Sequence, residues 1–414
     1  MTGGQVAALI GGGMAGVHAA EVLRRDGFDG RVLLVSAEQH LPYDRPPLSK
    51  ALLRGELALA DCLLRPPEWY EEQGIEVLLG VSVDALDPGR RTLRLSTGEQ
   101  VEFDRALLAT GARPRWPLGL APGCGPVFAL RTVDDCLAIR SRLRSGASVV
   151  VVGGGFVGAE LASSAASLGC RVTMLEAAHA PFQRVLGRTV GELFGRFYAT
   201  GGIRLVTGVQ VTETSVGPEG ARLTAGDGRF WDADVVVVGV GVVPNTELAV
   251  DAGLRVSDGV EVDAYCTTSA PHVFAAGDVA NRPGPVLGRR VRIEHWQNAQ
   301  HQGTAAGRAM LGIREPFDEV PWFWSDQFGL NLQVAGFPDR ADRVVVRGRL
   351  EGDRFAAFYL AGPTLVAALG VGCAGEVHLS RRLIAARAHV DPQRLTDEHS
   401  DLRDALLASD VPTA

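Results

Sequence analysis

The chain has 414 residues, enough for two or three domains that each bury a core, which excludes a small scaffold held together by staples. Hydrophobic residues make up 46%, charged residues 21%, and the net charge is -7, a balance that excludes a disordered chain and disfavours nucleic acid as a partner. The longest apolar runs, such as Val235 to Val243, are about half of what crosses a bilayer, so no membrane span is expected.

In chain order, Gln5 to Ile10 runs straight into Gly11 as a strand meeting a glycine turn. It lacks the basic region and cleavage site of a secretory signal, so a cytoplasmic protein is expected. The turn Gly11-x-Gly13-x-x-Gly16 leads into an Ala-rich helix, and Arg31 to Val35 completes a βαβ unit. Its second strand ends Val35-Ser36-Ala37-Glu38, which makes Glu38 the candidate ribose acid. Val101 to Leu108 reads as a strand ending at Ala109-Thr110-Gly111, and the proline-rich stretch from Pro114 to Pro126 reads as a domain boundary.

The pattern then repeats. Ser148 to Val152 meets Gly153-x-Gly155-x-x-Gly158, a second helix follows, and Arg171 to Leu175 ends at Glu176, 23 residues after Gly153. In such a turn the first glycine bends the chain, the second lets a pyrophosphate approach, and the third lets helix and strand pack closely. The helix N-terminus supplies N–H groups and positive potential. One match is weak, because a glycine turn also serves tight packing; two in strand-turn-helix context predict two dinucleotide sites. Glu176 accepts from a ribose and repels a 2′-phosphate, and no arginine follows in Ala177-Ala178-His179, so NADH is favoured over NADPH. Two such sites on one chain suggest electron passage between two cofactors, typically FAD and a nicotinamide.

Asp234 to Val240 reads as a strand ending in Gly241-Val242-Val243-Pro244. His272 to Ala276 ends in Gly277-Asp278 before a helix around His295 to Leu311, as the chain re-enters the first domain. Beyond Pro321, Arg343 to Arg349, Arg354 to Leu360 and Thr364 to Val371 predict a three-stranded antiparallel meander with turns at Glu351-Gly352-Asp353 and Gly362-Pro363. In Glu376 to Val390, Leu379, Leu383, Ala386 and Val390 recur at helical spacing and predict one amphipathic helix. The six cysteines, 62, 124, 136, 170, 266 and 373, form no C-x-x-C pair or metal-like cluster, so no metal is expected. The 41 Lys plus Arg comprise forty arginines and one lysine, Lys50, where a merely structural cation would more naturally be arginine.

The first fingerprint together with Pro42-Tyr43-Asp44-Arg45-Pro46-Pro47-Leu48-Ser49-Lys50, Ala109-Thr110-Gly111-Ala112-Arg113-Pro114, Phe274-Ala275-Ala276-Gly277-Asp278 and Pro321-Trp322-Phe323-Trp324-Ser325-Asp326-Gln327 resembles the NADH-dependent, FAD-containing ferredoxin reductases of bacterial oxygenase systems. The resemblance covers essentially the whole chain. It implies an α/β fold with two Rossmann-like dinucleotide-binding domains, glutathione-reductase-like, plus a C-terminal α+β domain. The expected boundaries are 1–112 with 244–320 for FAD, 113–243 for NADH and 321–414 for a C-terminal interface domain.

On the FAD side the resemblance implies Gly11, Gly13, Gly16, Glu38, Arg45, Lys50, Val83, Thr110, Gly111, Arg131, Asp278, Glu294, His295, Trp296 and Trp324. On the NADH side it implies Gly153, Gly155, Phe156, Gly158, Glu160, Glu176, Arg184 and Gly241. Lys50 and Glu160 form the implied catalytic ion pair under the nicotinamide, with the ammonium near the flavin N5 edge. Asp278 would bond a ribityl hydroxyl, and Phe156 would gate the nicotinamide pocket. Packing accounts equally well for His295 and Trp296, and solvation for Arg184; Trp322 and Trp324 would line the flavin's outer face on the path to a docked partner, though core packing is the commoner reason for a tryptophan.

The implied partner is a 2Fe–2S ferredoxin serving a cytochrome P450 or a Rieske oxygenase, and the protein itself would be a monomer or weak homodimer. Residues 339–394 carry nine Arg against six Asp plus Glu, which would steer an acidic partner. The alternatives are a rubredoxin reductase, an NADH-binding flavoprotein sensor of apoptosis-inducing-factor type, and an oxidase, peroxidase or disulfide reductase. Relatives of the last kind keep a redox cysteine close to the flavin, and Pro46 to Lys50 has none.

Overall fold

The structure, a computed structural model, describes residues 5–117, 120, 125–217, 220–284, 287–350 and 352–407. Cys124, Glu351 and part of the 114–126 stretch lie outside the described residues. The chain divides into two compact units. The first takes residues up to 44, 59–113 and 243–321; the second takes 45–58, 114–242 and 322 onward.

The first unit is built on a parallel sheet in the order Val273–Ala275, Arg105–Leu108, Val6–Ile10, Arg31–Ser36, Ile75–Leu79. Its strands read as unbroken apolar runs because a parallel sheet is covered on both faces. Alternate residues serve two cores. Leu9, Leu34 and Leu107 join the side chains of the helices Met14–Arg25 and Trp296–Met310, while Ala8, Leu33 and Leu108 join the small sheet Val83–Asp87, Thr92–Leu95, Gln100–Glu102. The two helices meet through small residues: a Cβ at Gly303 would stand 2.4 Å from the Ala15 carbonyl oxygen, and one at Gly307 would stand 2.9 Å from that of Ala19.

The expected strand Val101 to Leu108 is in fact two, Gln100–Glu102 and Arg105–Leu108, in different sheets. Asp104 makes the change of sheet. Its carboxylate accepts from the Val6 N–H at 2.8 Å while its own N–H donates to the Val6 carbonyl at 2.9 Å. Asp234 does the same in the second unit, accepting from the Ser148 N–H at 2.7 Å and donating to the Ser148 carbonyl at 2.9 Å. The strand expected from Asp234 to Val240 is therefore Val235–Val238.

The second unit repeats the parallel sheet, in the order Arg204–Thr207, Arg171–Glu176, Ser148–Val152, Val235–Val238, Val127–Ala129. Segment 45–58 packs here: its short helix Ala51–Arg54 lies against the helices Val133–Arg142 and Phe156–Ser167. The unit also holds a five-stranded antiparallel sheet ordered Trp322–Gln327, Leu330–Gly336, Thr364–Val371, Phe355–Ala361, Arg343–Gly348. The expected meander is thus three strands of five. The added pair is a hairpin whose loop residues, Phe328 at φ +53 and Gly329 at φ +74, both sit at positive φ as a type I′ turn requires. Phenylalanine in place of the usual Asn or Asp hides that turn from sequence patterning.

The last expected helix also changes. It spans Ala374–Ala385 and buries Val377, Ser380, Leu383 and Ile384, whereas Ala386 is exposed. Arg387 takes φ +53, its N–H donates to Ile384 and that of Ala388 to Leu383, the pattern of a Schellman cap. Arginine stands where glycine usually marks such a stop. Val390 lies beyond the helix, with its N–H donating to Pro363.

Replacing Gly303 by Ala is expected to destabilise the first unit by about 1–3 kcal/mol through overpacking against rigid backbone. A lowered midpoint in thermal denaturation checks it.

Candidate functional site

In the first glycine turn, Gly11 sits at φ +122 and a Cβ there would fall 2.1 Å from the Ala109 carbonyl oxygen, so only glycine fits. A Cβ on Gly16 would strike the Gly11 carbonyl at 2.1 Å, which locks helix to strand. Gly13 is different: nothing stands within 4 Å of its Cβ position, and no side chain caps the helix it opens. That open cradle of unsatisfied N–H groups suits a pyrophosphate.

The second turn matches it. Gly153 lies at φ +107 against the Gly239 carbonyl, Gly158 packs on the Gly153 carbonyl, and Gly155 opens an uncapped helix with only the Gly239 oxygen near, at 3.9 Å. Glu176 is locked to this turn. One of its oxygens accepts from the Gly154 N–H at 2.6 Å and the other from the Ala178 N–H at 2.7 Å. Sheet register puts Ser36 where Glu176 stands, since Arg31 pairs with Val6 as Arg171 pairs with Ser148. The first acid is therefore displaced to Glu38, which accepts from the Tyr43 hydroxyl.

On one stripe of the helix Phe156–Ser167, Glu160 and Ser164 carry the second unit's polar centre and Phe156 flanks it. Glu160 and Lys50 form the expected ion pair at 2.6 Å, with side chains only 8% and 15% exposed. Enclosure of opposite charges is tolerated only when remaining lone pairs and protons find partners. Here they do: Ser49 donates to the oxygen shared with Lys50, Ser325 donates to the other at 2.7 Å, and Lys50 also reaches the Pro46 carbonyl at 3.2 Å. Ser164 anchors the segment by donating to the Ser49 carbonyl at 2.7 Å.

The strand Trp322–Gln327 serves this centre with alternate residues, as a period of two dictates. Phe323 meets Phe156 edge-on at 4.7 Å, Ser325 meets Glu160, and Gln327 accepts from the Tyr198 hydroxyl at 2.9 Å. Phe156 also stacks on Phe182 at 4.5 Å. Phe182 holds a left-handed backbone at φ +55, a conformation costly for a bulky residue, while its N–H donates to the Gly154 carbonyl. Ser49, Ser325, Gln327, Tyr198 and Phe182 were not singled out from sequence. Strand alternation in Trp322–Gln327 would have grouped 323, 325 and 327.

The remaining expected residues fall as follows. In the first unit Thr110 and Asn245 exchange two hydrogen bonds of 2.8 Å beside Gly111, which lies at φ +66. The Trp296 indole donates to Asp44 at 2.6 Å, and Glu294 pairs with Arg292 at 2.6 Å. Asp278 sits in the short turn Gly277–Val279, and Val83 opens the strand Val83–Asp87. Desolvation lowers the His295 imidazole to about 4, so this residue at the start of the helix Trp296–Met310 is neutral near pH 7. In the second unit Arg45 donates to the Arg131 carbonyl at 2.6 Å, and Trp324 lies 5.5 Å from Trp322. Gly241 accepts from the Arg115 N–H, and Arg184 is exposed on its short helix without joining the Glu160 centre.

Burial raises the Cys62, Cys170 and Cys373 thiols and pushes Cys266 up to about 12, so each stays protonated. Among the described residues no group of three or more His, Cys, Asp and Glu is placed to hold a metal ion, and no helix is long and apolar enough to cross a membrane.

Residues 6–303 match the family model described as pyridine nucleotide-disulphide oxidoreductase, and residues 322–406 match the model described as reductase C-terminal. The anthranilate 1,2-dioxygenase system ferredoxin--NAD(+) reductase component of Burkholderia cepacia is 40% identical over 94% of this chain and 96% of its own. Putidaredoxin reductase of Pseudomonas putida is 36% identical over 97% and 96%. The crystal structure of the covalent putidaredoxin reductase–putidaredoxin complex contains a chain 34% identical, with a TM-score of 0.93 and 98% of each chain covered. Matches of this extent show that the chain belongs to the pyridine nucleotide-disulphide oxidoreductases, among the ferredoxin--NAD(+) reductases of oxygenase systems.

Proposed function

We propose that this protein takes a hydride from NADH onto FAD and passes electrons singly to a 2Fe–2S ferredoxin that feeds an oxygenase. The observation that carries this reading is the pairing of two open, uncapped glycine turns with an enclosed Lys50–Glu160 centre whose every visible donor is satisfied. FAD, when bound, supplies the switch between two-electron uptake and one-electron release.

The chain's own residues supply binding and electrostatics. The helix starting after Gly13 holds the FAD pyrophosphate and the one after Gly155 that of NADH. Glu176, pre-set by two backbone donors, accepts from the adenosine ribose and repels a 2′-phosphate. Lys50 presents a fixed positive charge that Glu160 orients; hydride transfer needs no general acid from either. Phe156, backed by Phe182 and Phe323, shapes the nicotinamide side without a hydroxyl to donate.

The protonated cysteines speak against thiol chemistry. The relative solved with putidaredoxin and the arginine excess of residues 339–394 favour a small acidic ferredoxin over a rubredoxin.

Anaerobic stopped-flow of the flavin-loaded protein is expected to show rapid bleaching by NADH and slow bleaching by NADPH, followed by ferredoxin-dependent reduction of cytochrome c. A stable reduced form that no ferredoxin reoxidises would instead favour the sensor reading. Glu176→Ala is expected to weaken NADH binding about tenfold and to narrow the gap to NADPH, both read in the same instrument. Lys50→Gln leaves the Glu160 charge without its counter-ion and is expected to cost about 3–5 kcal/mol of stability. Adding Glu160→Gln should restore part of the lost thermal midpoint, while hydride transfer in the double variant stays slow.

A further inference from the structure

The Lys50–Glu160 centre is held from two sides. Residues 45–58 contribute Lys50 and Ser49, both on Oε2 of Glu160. Oε1 takes its bond from the opposite quarter, the Ser325 hydroxyl on the first strand of the C-terminal sheet. Ser325 is fully enclosed. Removing its oxygen would leave a buried carboxylate oxygen without that donor and the terminal torsion of Glu160, which has no strong staggered preference of its own, held from the Oε2 side alone.

The direction of that bond is set further out. Gln327 is an amide whose oxygen accepts from Tyr198, which leaves its Nε2, a donor only, facing the Ser325 oxygen at 3.3 Å. Ser325 must accept there, so its single proton goes to Glu160. Tyr198 keeps its own proton, because burial and the nearby Glu160 charge push its phenol well above the usual tyrosine range. The result is a chain of donors, Tyr198 to Gln327 to Ser325 to Glu160, all running toward the carboxylate, and such alignment strengthens each member.

We propose that Ser325 is a positioning residue for hydride transfer: through Glu160 it fixes the Lys50 ammonium, so that a strand of the C-terminal sheet takes part in the electrostatics of the reacting centre. This rests on the role given to Lys50 and Glu160 above.

Ser325→Ala, Ser325→Thr and Tyr198→Phe in the flavin-loaded protein test it. In anaerobic single turnovers without ferredoxin, Ser325→Ala is expected to slow flavin bleaching about tenfold, the worth of one hydrogen bond to a charged group, while NADH affinity holds within about twofold, as for loss of an interaction felt at the reacting centre. Ser325→Thr should recover the rate, and Tyr198→Phe should lose less than Ser325→Ala. A second readout needs no turnover. Lys50 is the only lysine in the chain, so pulse acetylation read by mass spectrometry, normalised to the N-terminal amine, reports its environment alone. Acetylation of Lys50 should be faster in Ser325→Ala than in wild type and unchanged in Ser325→Thr. Wild-type acetylation and bleaching in Ser325→Ala would overturn the inference. Should Ser325→Ala not fold, wild-type values of both in Tyr198→Phe would overturn it instead. If wild type itself is not bleached by NADH, the hydride-transfer reading falls, whatever the acetylation rates.

Discussion

An enclosed carboxylate has to be surrounded by donors, and in this protein that requirement gathers the second unit around Glu160. Its partners come from two places far apart in the chain: the excursion at Ser49 and Lys50, and the strand holding Ser325. Desolvating a Lys–Glu pair gains nothing by itself unless the remaining lone pairs are filled. The serines fill them, and one of them, Ser49, lies in segment 45–58, which though early in sequence packs in the second unit.

The fold is a duplication carried to fine detail. Both parallel sheets centre on a strand whose first residue is gripped by an aspartate, Asp104 at Val6 and Asp234 at Ser148, with bonds of matching length. Both central strands end in a glycine turn that opens an uncapped helix. The copies differ in where the acid beside each turn stands. Glu176 sits on its turn, whereas Ser36 takes that register in the first unit and leaves the acid to Glu38. The second helix also carries Phe156 and Glu160, one turn apart, on the stripe facing the Trp322–Gln327 strand.

That strand ties the C-terminal sheet to the Lys50–Glu160 centre. One face sends Phe323, Ser325 and Gln327 to the helix Phe156–Ser167 and its neighbours, while Trp322 and Trp324 form a pair 5.5 Å apart.

Much of this was legible in the amino-acid sequence because it rests on local rules. Glycine spacing, the run of apolar strands and the acid 23 residues after Gly153 need no distant contact to be meaningful, and the single lysine among forty arginines stood out by composition. What stayed hidden was decided by tertiary contact. The Phe328-Gly329 turn and the Arg387 cap use residues that tolerate positive φ only when packing holds them there, so neither hairpin nor helix end carried its usual marker. The split at Asp104 depends on Val6, far away in sequence. Ser325 acquires its role from a carboxylate 165 residues earlier, and no local pattern encodes a hydrogen bond between side chains that only the folded chain brings together.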